Sequence, residues 1–451
     1  MKPTLLVDRK YFFELGGSLF AGLRGDERLT LNLVEETTQF IRINGAKVRQ
    51  IGCVENAHLA FDYRLKKGDA LVKCGYSVTL TGERTTDSET LKAAFNQLRT
   101  QATELPIDPF STEIENFGQS ENVFCGELLP FSDAAERLPS LMNSLPITGI
   151  YSAGTSVRAN MNSLGQKHWF ETDHFSFDYS LFTPENRMAK GYYSGSKWDD
   201  GVFRSNLEST HSQFSQLTKP VQSIEPGKYR TYLSPMAVAE LLHMFSWGFL
   251  SEGALRREES SLRLVRQGKK SLSPLVTLKE NFKRGLVPSF NHLGELAPEE
   301  IKLFERGELE NTLVSRRTAK EYGVTSNAAS GSEAPRSLEM EGGSLKEADV
   351  LSSLGTGLYL SNLHYLNWSD QKAGRITGMT RYACFWVKDS KIVGPIENLR
   401  FDDSVFGIFG TELEALTSEA VLIPATGTYS NRDLGGVINP GALLSTKNFT
   451  L

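Results

Sequence analysis

The sequence predicts an α+β protein, with an N-terminal domain of antiparallel sheet and helices and a β-rich C-terminal domain that contains a buried helix. Two extended runs meet at Asn44-Gly45, a dipeptide that favours a β-hairpin because both residues tolerate positive φ. A second pair of extended runs flanks a turn at residues 66–69. Apolar residues then recur at helical spacing over residues 88–104. A meandering sheet followed by a helix is typical of an α+β domain.

The remaining segments continue this pattern. Residues 105–120 are predicted to be a linker, since Pro106 and Pro109 fit neither a helix nor a central strand. Ser234 followed by Pro235 predicts a helix start, and the helix is expected to run from 235 to 250. We divide the chain into domains at residues 1–220 and 221–451. The other expectations are a short helix at 132–138 stopped by Pro139, strands over 149–182 with a turn at 162–165, a polar helix at 203–217, a strand at 229–233, an exposed loop at 325–344, and strands and turns over 358–403.

The composition excludes several classes of protein. The 451 residues carry 49 basic and 54 acidic side chains, a formal net charge of -5, with no basic patch of the kind that binds nucleic acid. Every apolar run is too short, or too often interrupted by charged and polar residues, to be a signal peptide or a membrane span. We therefore expect a cytoplasmic protein without a membrane partner. The four cysteines are scattered without a C-x-x-C pair, which favours free thiols over disulfides or a cysteine-based zinc site.

One histidine, His243, lies in the apolar stretch of the predicted helix 235–250. Glu240, His243 and Ser246 are three residues apart and share one side of that helix. One interpretation is a buried, hydrogen-bonded pair of Glu240 and His243, which is the commoner role of a lone helical histidine. The other is a variant of the zinc-peptidase pattern H-E-x-x-H, in which Ala239 replaces the first histidine and two further ligands come from elsewhere.

No other motif supplies a complete catalytic set. The sequence has neither a G-x-S-x-G nucleophile elbow nor a Walker loop. Gly355-Thr356-Gly357 lacks a third glycine and is predicted to be a turn. The adjacent acids Asp199-Asp200 and Asp402-Asp403 are predicted to be solvated surface.

Four segments carry a family resemblance. They are ETTQFIRINGAKVRQ at residues 36–50, the turn at 162–165, RGELENTLVSRRTAKEY at 306–322, and GLYLSNLHYLNWSDQKAGRITGMTRYACFWVKDSKIVGPIENLRF at 357–401. Together they resemble the TldD/TldE (PmbA) family of zinc peptidase complexes, and specifically its TldE branch. The resemblance covers most of the chain, with the segments in the right order.

The resemblance implies a degenerate metal motif. In the TldD branch the corresponding helix carries H-E-x-x-x-H, and a cysteine near the C-terminus completes the zinc site. His243 then matches the first histidine, Met244 stands at the position of the glutamate base, and Gly248 stands at the position of the second histidine. The tail at 421–430 has no cysteine, and Cys384 lies in a predicted strand. We therefore expect neither a catalytic residue nor a metal in this chain, and a packing role for His243.

What the resemblance implies is a pseudo-peptidase subunit. In this family a TldE-like chain pairs with a TldD-like zinc peptidase as a heterodimer; zinc is expected in that partner, and unfolded peptides are the substrate. Asn362, His364 and Tyr365 are candidates for a peptide cleft at a sheet edge, although an ordinary buried strand is an equal interpretation. Two alternatives remain open: a stand-alone metallopeptidase that uses His243 with Glu240 or His364, and a homodimeric peptide-binding protein.

Overall fold

The computed structural model describes residues 5–143 and 145–450. It confirms the α+β class, with the N-terminal half built on one antiparallel sheet. In the described ranges the order of this N-terminal sheet is β3-β2-β1-β5-β6-β4, with β7 paired to β6, and β4 alone runs parallel to its neighbour. The strands are β1 (Glu27–Asn44), β2 (Lys47–Lys67), β3 (Ala70–Leu80), β4 (Gln119–Phe124), β5 (Ile147–Asn162), β6 (Lys167–Phe182) and β7 (Met188–Gly195).

Both predicted hairpins are present, but they share a strand. β1 pairs with β2 from Glu27 opposite Leu65 to Asn44 opposite Lys47, and Gly45 in the turn has a φ of 59°. The same β2 continues to Lys67 and pairs with β3. The two short strand pairs expected from the sequence are therefore one long meander of three strands.

Helices cover one face of the N-terminal sheet. Leucine and phenylalanine side chains of α1 (Arg9–Phe20) and α2 (Arg84–Glu104) pack on one end of that face, and those of α3 (Phe131–Leu141) and α4 (Asp200–Gln216) pack on the other. α2 begins before the predicted residue 88 because Glu83 accepts the N–H groups of Thr85 and Thr86. The prediction that Pro139 stops α3 is wrong. Pro139 lies in the last turn, where a proline removes one hydrogen bond without breaking the turns before it.

The C-terminal half contains two further sheets in the described residues. The small C-terminal sheet has the order β11-β10-β9-β12-β21-β20, and the large C-terminal sheet has the order β14-β15-β18-β22-β8-β13-β16-β17 with β19 beside β22. The strands are β8 (Gly227–Leu233), β9 (Leu278–Asn281), β10 (Glu300–Glu305), β11 (Glu308–Leu309), β12 (Leu338–Met340), β13 (Gly357–Leu360), β14 (Asn362–Asp370), β15 (Arg375–Arg381), β16 (Phe385–Lys388), β17 (Lys391–Pro395), β18 (Arg400–Ser404), β19 (Leu413–Leu416), β20 (Val421–Pro424), β21 (Gly436–Asn439) and β22 (Ala442–Phe449).

Short helices connect these strands. They are α5 (Pro235–His243), α6 (Glu252–Arg256), α7 (Leu262–Arg266), α8 (Arg316–Tyr322) and α9 (Val350–Leu354). Among the described residues, no helix has the length and apolar character needed to cross a bilayer. Residues 105–118 form neither helix nor strand, and the domain boundary at residues 220 and 221 stays a prediction.

Two sequence expectations in this half are wrong. The helix expected to reach residue 250 ends at His243, and the chain turns at Gly248, whose φ is 87°. The apolar run continues because Phe245, in a single 3-10 turn after the helix, and Phe249, in the turn that follows, enter the core of the C-terminal half. The loop expected to be exposed at 325–344 contains buried residues and includes β12, an inner strand of the small C-terminal sheet.

The second face of the N-terminal sheet is polar and packs against the C-terminal half. Side chains alternate along a strand, so Asn160 points away from the helices that cover Ala159. The Asn160 side chain donates to the His292 carbonyl at 3.0 Å. The His168 ring stacks on Phe290 with centroids 5.2 Å apart. Hydrogen bonds and ring stacking, rather than a shared apolar core, therefore join the two halves here.

Lys447 is a buried charge in the large C-terminal sheet. Its side chain is 0% exposed, and its Nζ lies 3.7 Å from both Asp403 Oδ2 and the Phe401 ring centroid. Burial lowers its pKa from the usual 10.5 to about 8. The charged form therefore costs stability at neutral pH.

Replacing Lys447 with methionine is expected to raise the free energy of unfolding near pH 7 by roughly 3 kcal/mol, the equivalent of that pKa difference. Between the folded pKa of about 8 and the unfolded 10.5, the unfolded chain binds more protons at this position. The advantage of Lys447→Met should therefore shrink as pH rises through this window. Urea denaturation at several pH values between about 8 and 10.5 measures the stability difference between Lys447→Met and the unchanged chain, with the exposed Lys391→Met as control. A pH-independent difference would contradict the prediction.

Candidate functional site

The helix α5 has one buried and one exposed side. Ser234 caps it, since its hydroxyl accepts the Ala237 N–H at 3.4 Å and donates to the Ser361 carbonyl at 2.6 Å. Leu241 and Leu242 pack in the core. On the other side Glu240 and His243 are exposed. The interpretation of Glu240 and His243 as a buried pair is therefore wrong, and so is the packing role expected for His243.

The strand β14 begins beside α5 and holds the three predicted cleft residues. Asn362 is buried, and its amide nitrogen lies 3.7 Å from the Met236 sulfur of α5. Its Oδ1 has no hydrogen-bond partner among the described residues. Tyr365 is 76% exposed with a φ of 51°, at a register shift between β14 and β15. A left-handed, non-glycine residue at a bulge is a strained arrangement, of the kind that is concentrated at binding sites.

Charged side chains of α5, β7 and β15 act on Glu240. Burial by the surrounding protein raises the pKa of Glu240, and the positive charges of His243, Arg381 and Lys190 oppose that rise. Glu240 is nevertheless exposed by surface area. Burial and the Arg381 charge lower the pKa of His364. Arg381 thus lies within electrostatic reach of both α5 and β14.

A cavity of about 430 Å³ opens next to α5, between the two halves of the chain. Lys190 and Tyr192 of β7 line one side, and Met236, Tyr359 and Asn362 line the other. Lys190 also lines a second cavity of about 520 Å³ along the polar face of the N-terminal sheet. Lys190, which pairs with Asp178, is therefore common to two neighbouring cavities, both rich in hydroxyl and amide groups, and these two cavities are called the groove below.

Comparison with known proteins identifies the C-terminal half. Residues 226–448 match the family described as PmbA/TldA metallopeptidase C-terminal domain, a range that contains α5, β14 and Arg381. The chain belongs to the TldD/TldE (PmbA) family. No functionally curated protein matches it.

Solved structures share the whole fold of this family member at low sequence identity. TldE from Thermococcus kodakarensis has 14% identity and a TM-score of 0.72, over 98% of this chain and 99% of that one. A candidate modulator of DNA gyrase from Bacteroides thetaiotaomicron has 15% identity and a TM-score of 0.76, over 98% and 99%. Another from Thermotoga maritima has 14% identity and a TM-score of 0.74, over 97% and 100%. At this identity the likeness concerns the fold.

The residues on α5 do not fit the zinc ion of the family's metallopeptidases. His243 offers one imidazole, but Met244 turns a thioether into the core and Gly248 lies beyond the helix end. Cys384 is buried, with its sulfur 3.1 Å from the Arg381 carbonyl, and burial raises its thiol pKa. In the part of the chain that is described, no three His, Cys, Asp or Glu side chains form a group that could hold a metal. A tetrahedral zinc site needs three such ligands.

Sequence reasoning singled out α5 and β14 but missed the cations between them. Arg381 lies in the segment that carries the family resemblance, opposite Asn362 in the pairing of β14 with β15. Lys190 comes from the N-terminal sheet. Their neighbours lie far away in sequence, so no spacing rule relates these residues to Glu240 or His364.

Proposed function

We propose that this chain is a non-catalytic, TldE-like subunit of a TldD/TldE zinc metallopeptidase that processes or degrades unfolded peptides, with the zinc in its TldD-like partner. The observation that carries the proposal is α5 itself. His243 faces solvent beside Glu240 with no second histidine on its helix, and the family resemblance assigns Met244 and Gly248 to the positions of the base and the second histidine. A site that lacks both groups neither holds zinc tightly nor activates a water molecule.

The groove suits the binding of an extended peptide. β14 is an edge strand of the large C-terminal sheet, so its outer backbone groups are available for strand addition. The unpartnered Oδ1 of Asn362 accepts one N–H group, and Arg381, opposite Asn362 in the pairing of β14 with β15, provides positive charge for peptide carbonyl or carboxylate groups. The bulge at Tyr365 limits strand addition to the start of β14. Asn362, His364 and Tyr365 are proposed to contact the peptide.

The alternative of a stand-alone metallopeptidase meets an electrostatic obstacle. It needs Glu240 or His364 as ligands beside His243. Arg381 lies within electrostatic reach of both Glu240 and His364, and its positive charge opposes a divalent cation between them. The observed charges therefore favour a peptide-binding groove over a metal site. The cytoplasmic location and the absence of a nucleic-acid or membrane partner stay predictions from the sequence.

Native mass spectrometry of the tagged chain, isolated from its own cells, tests the proposal. We expect a complex with a second subunit that carries the zinc, and we expect His243→Ala in this chain to leave the rate of peptide hydrolysis unchanged. Chelation of zinc is the control that abolishes hydrolysis. Stoichiometric zinc on this chain, with loss of activity in His243→Ala, would overturn the proposal in favour of the stand-alone peptidase. A metal-free homodimer would favour the peptide-binding protein.

A further inference from the structure

A separate cavity of about 750 Å³ lies on the polar face of the N-terminal sheet, away from α5. One wall is formed by β1, β2, β3 and β5. The other wall consists of two segments of the C-terminal half, residues 287–292 and 330–336, together with Leu434. Its volume is in the range of small-molecule sites, roughly 300–1,000 Å³.

Much of the cavity wall is apolar. Val34 and Ala60 contribute from the N-terminal sheet, and Val287, Phe290 and Leu434 contribute from the C-terminal half. Val34, Ala60, Val287 and Leu434 keep part of their surface exposed, so they contact whatever enters the cavity. Such a wall favours the burial of a hydrocarbon body.

The charged groups of the cavity differ in their partners. Lys73 and Arg64 both pair with Asp62 at 3.1 Å, so this one carboxylate serves two cations. Arg158 on β5 donates to the Val157 carbonyl at 2.9 Å and to the Arg432 carbonyl at 3.4 Å. Within the described ranges Arg158 forms no ion pair, while the carboxylates of Glu36 and Asp433 act on its charge from a greater distance.

A second guanidinium lies in the cavity wall. Arg336 donates to the backbone carbonyls of Phe290 at 2.8 Å and Ala328 at 3.2 Å. These contacts hold Arg336 in the wall, and the carboxylates of Glu280 and Glu295 act on its charge. Burial lowers the pKa of His292 below the usual 6.5, so His292 adds no charge at neutral pH. The cavity is thus a largely apolar enclosure lined by one arginine, Arg158, that retains free donors.

We propose that this cavity binds a small organic acid, whose carboxylate pairs with Arg158 and whose apolar body packs on Val34, Ala60 and Phe290. A planar guanidinium with free donors matches a carboxylate with two parallel hydrogen bonds. The acid is either a free medium-chain acid or the C-terminus of a short apolar peptide, since both present the same chemistry. The proposal depends on neither the partner subunit nor the peptidase assignment.

Isothermal titration calorimetry on the full chain tests this site. The probes are decanoate, its amide decanamide, the tripeptide acetyl-Leu-Leu-Phe with a free carboxylate, and the same tripeptide as a C-terminal amide. We expect the wild-type chain to bind an acid about tenfold or more tightly than its amide. Arg158→Gln should remove this preference, whereas Arg204→Gln, an exposed arginine on α4, should retain it.

A second variant separates the apolar wall from the charge. Ala60→Leu fills part of the cavity and leaves Arg158 in place, so it should weaken the binding of both decanoate and decanamide while keeping the preference for the acid. Circular dichroism establishes whether each variant is folded. If Arg158→Gln does not fold, the test of the site is whether Ala60→Leu weakens the binding of decanoate and decanamide. Binding of both acids supports a general site for apolar carboxylates, and binding of the tripeptide acid alone supports a peptide C-terminus. No binding to the wild-type chain, equal affinity for acid and amide, or an unchanged preference in folded Arg158→Gln would overturn the proposal.

Discussion

Replacing Arg432 with methionine is expected to lower the free energy of unfolding by about 3–5 kcal/mol, because it breaks a buried ion pair and its hydrogen bonds. Arg432 is 3% exposed and lies in the loop between β20 and β21, yet its side chain enters the polar face of the N-terminal sheet. The backbone N–H of Arg432 donates to Glu36 at 2.9 Å. The guanidinium donates to the Thr38 hydroxyl at 2.8 Å and to the carbonyls of His174 at 3.0 Å, Gly154 at 3.0 Å and Ser152 at 3.4 Å.

Methionine fills a similar volume but donates no hydrogen bond, so the hydroxyl and carbonyl acceptors lose their donor, and the buried Glu36 carboxylate loses the guanidinium charge 3.8 Å away. Urea denaturation followed by circular dichroism measures the change. The matched control is Arg204→Met on α4, an exposed substitution expected to change stability by less than about 0.5 kcal/mol. Adding Glu36→Gln to Arg432→Met should recover part of the loss, because it removes the uncompensated charge. A loss below about 1 kcal/mol for Arg432→Met would contradict this account of the contact between the halves.

Glu333→Ala is expected to destabilise the protein by roughly 3 kcal/mol, since it leaves two buried backbone donors without an acceptor. Glu333 is 3% exposed, and its carboxylate connects the N-termini of two helices. One oxygen accepts the Gly253 N–H of α6 at 2.8 Å and the Ser251 hydroxyl at 2.5 Å. The other oxygen accepts the Ser315 N–H, at the start of α8, at 2.7 Å. A carboxylate between two helix N-termini also faces the positive ends of both dipoles.

The conservative change Glu333→Gln tests the same contacts. The amide keeps one acceptor oxygen and loses the charge, so a smaller loss of stability is expected than for alanine. Glu341→Ala is the control, because Glu341 lies in the same segment but is half exposed, in an ion pair with Lys279. Guanidinium denaturation of the three variants ranks them. Equal stability of Glu333→Ala and Glu341→Ala would show that Glu333 does not hold the helices.

The elements that depend on local signals are those that the sequence predicted well. Asn44-Gly45 forms the predicted turn through its own backbone preference, and Ser234 with Pro235 starts α5 at the expected residue. The end of α5 was predicted too late because Phe245 and Phe249 are apolar. These side chains fill the core after the helix has ended, and the sequence pattern does not distinguish this from a continuing helix. Glu333 is buried because it accepts hydrogen bonds at the N-termini of α6 and α8, which are distant from it in sequence. Its polar segment was therefore predicted to be an exposed loop.

The candidate site divides in the same way. The sequence identified α5 and the start of β14, and the structure brings them together through Met236 and Asn362. The binding role of Asn362, His364 and Tyr365 stays a prediction. Lys190 and Arg381 come from other strands, and only the folded chain brings their positive charges near Glu240.

The position of Arg432 late in the chain also determines when the N-terminal sheet can complete its contacts during synthesis. It is made 396 residues after Glu36, the carboxylate with which it pairs. The strands of the N-terminal sheet can pair while the chain is still on the ribosome, but the acceptors around Glu36 stay without their arginine until the loop after β20 has emerged. The large C-terminal sheet is delayed in the same way, because β22 lies between β18 and β8. A chain released before Arg432 is made therefore has two incomplete halves, with an open polar sheet face and unpaired strand edges that chaperones and proteases can bind.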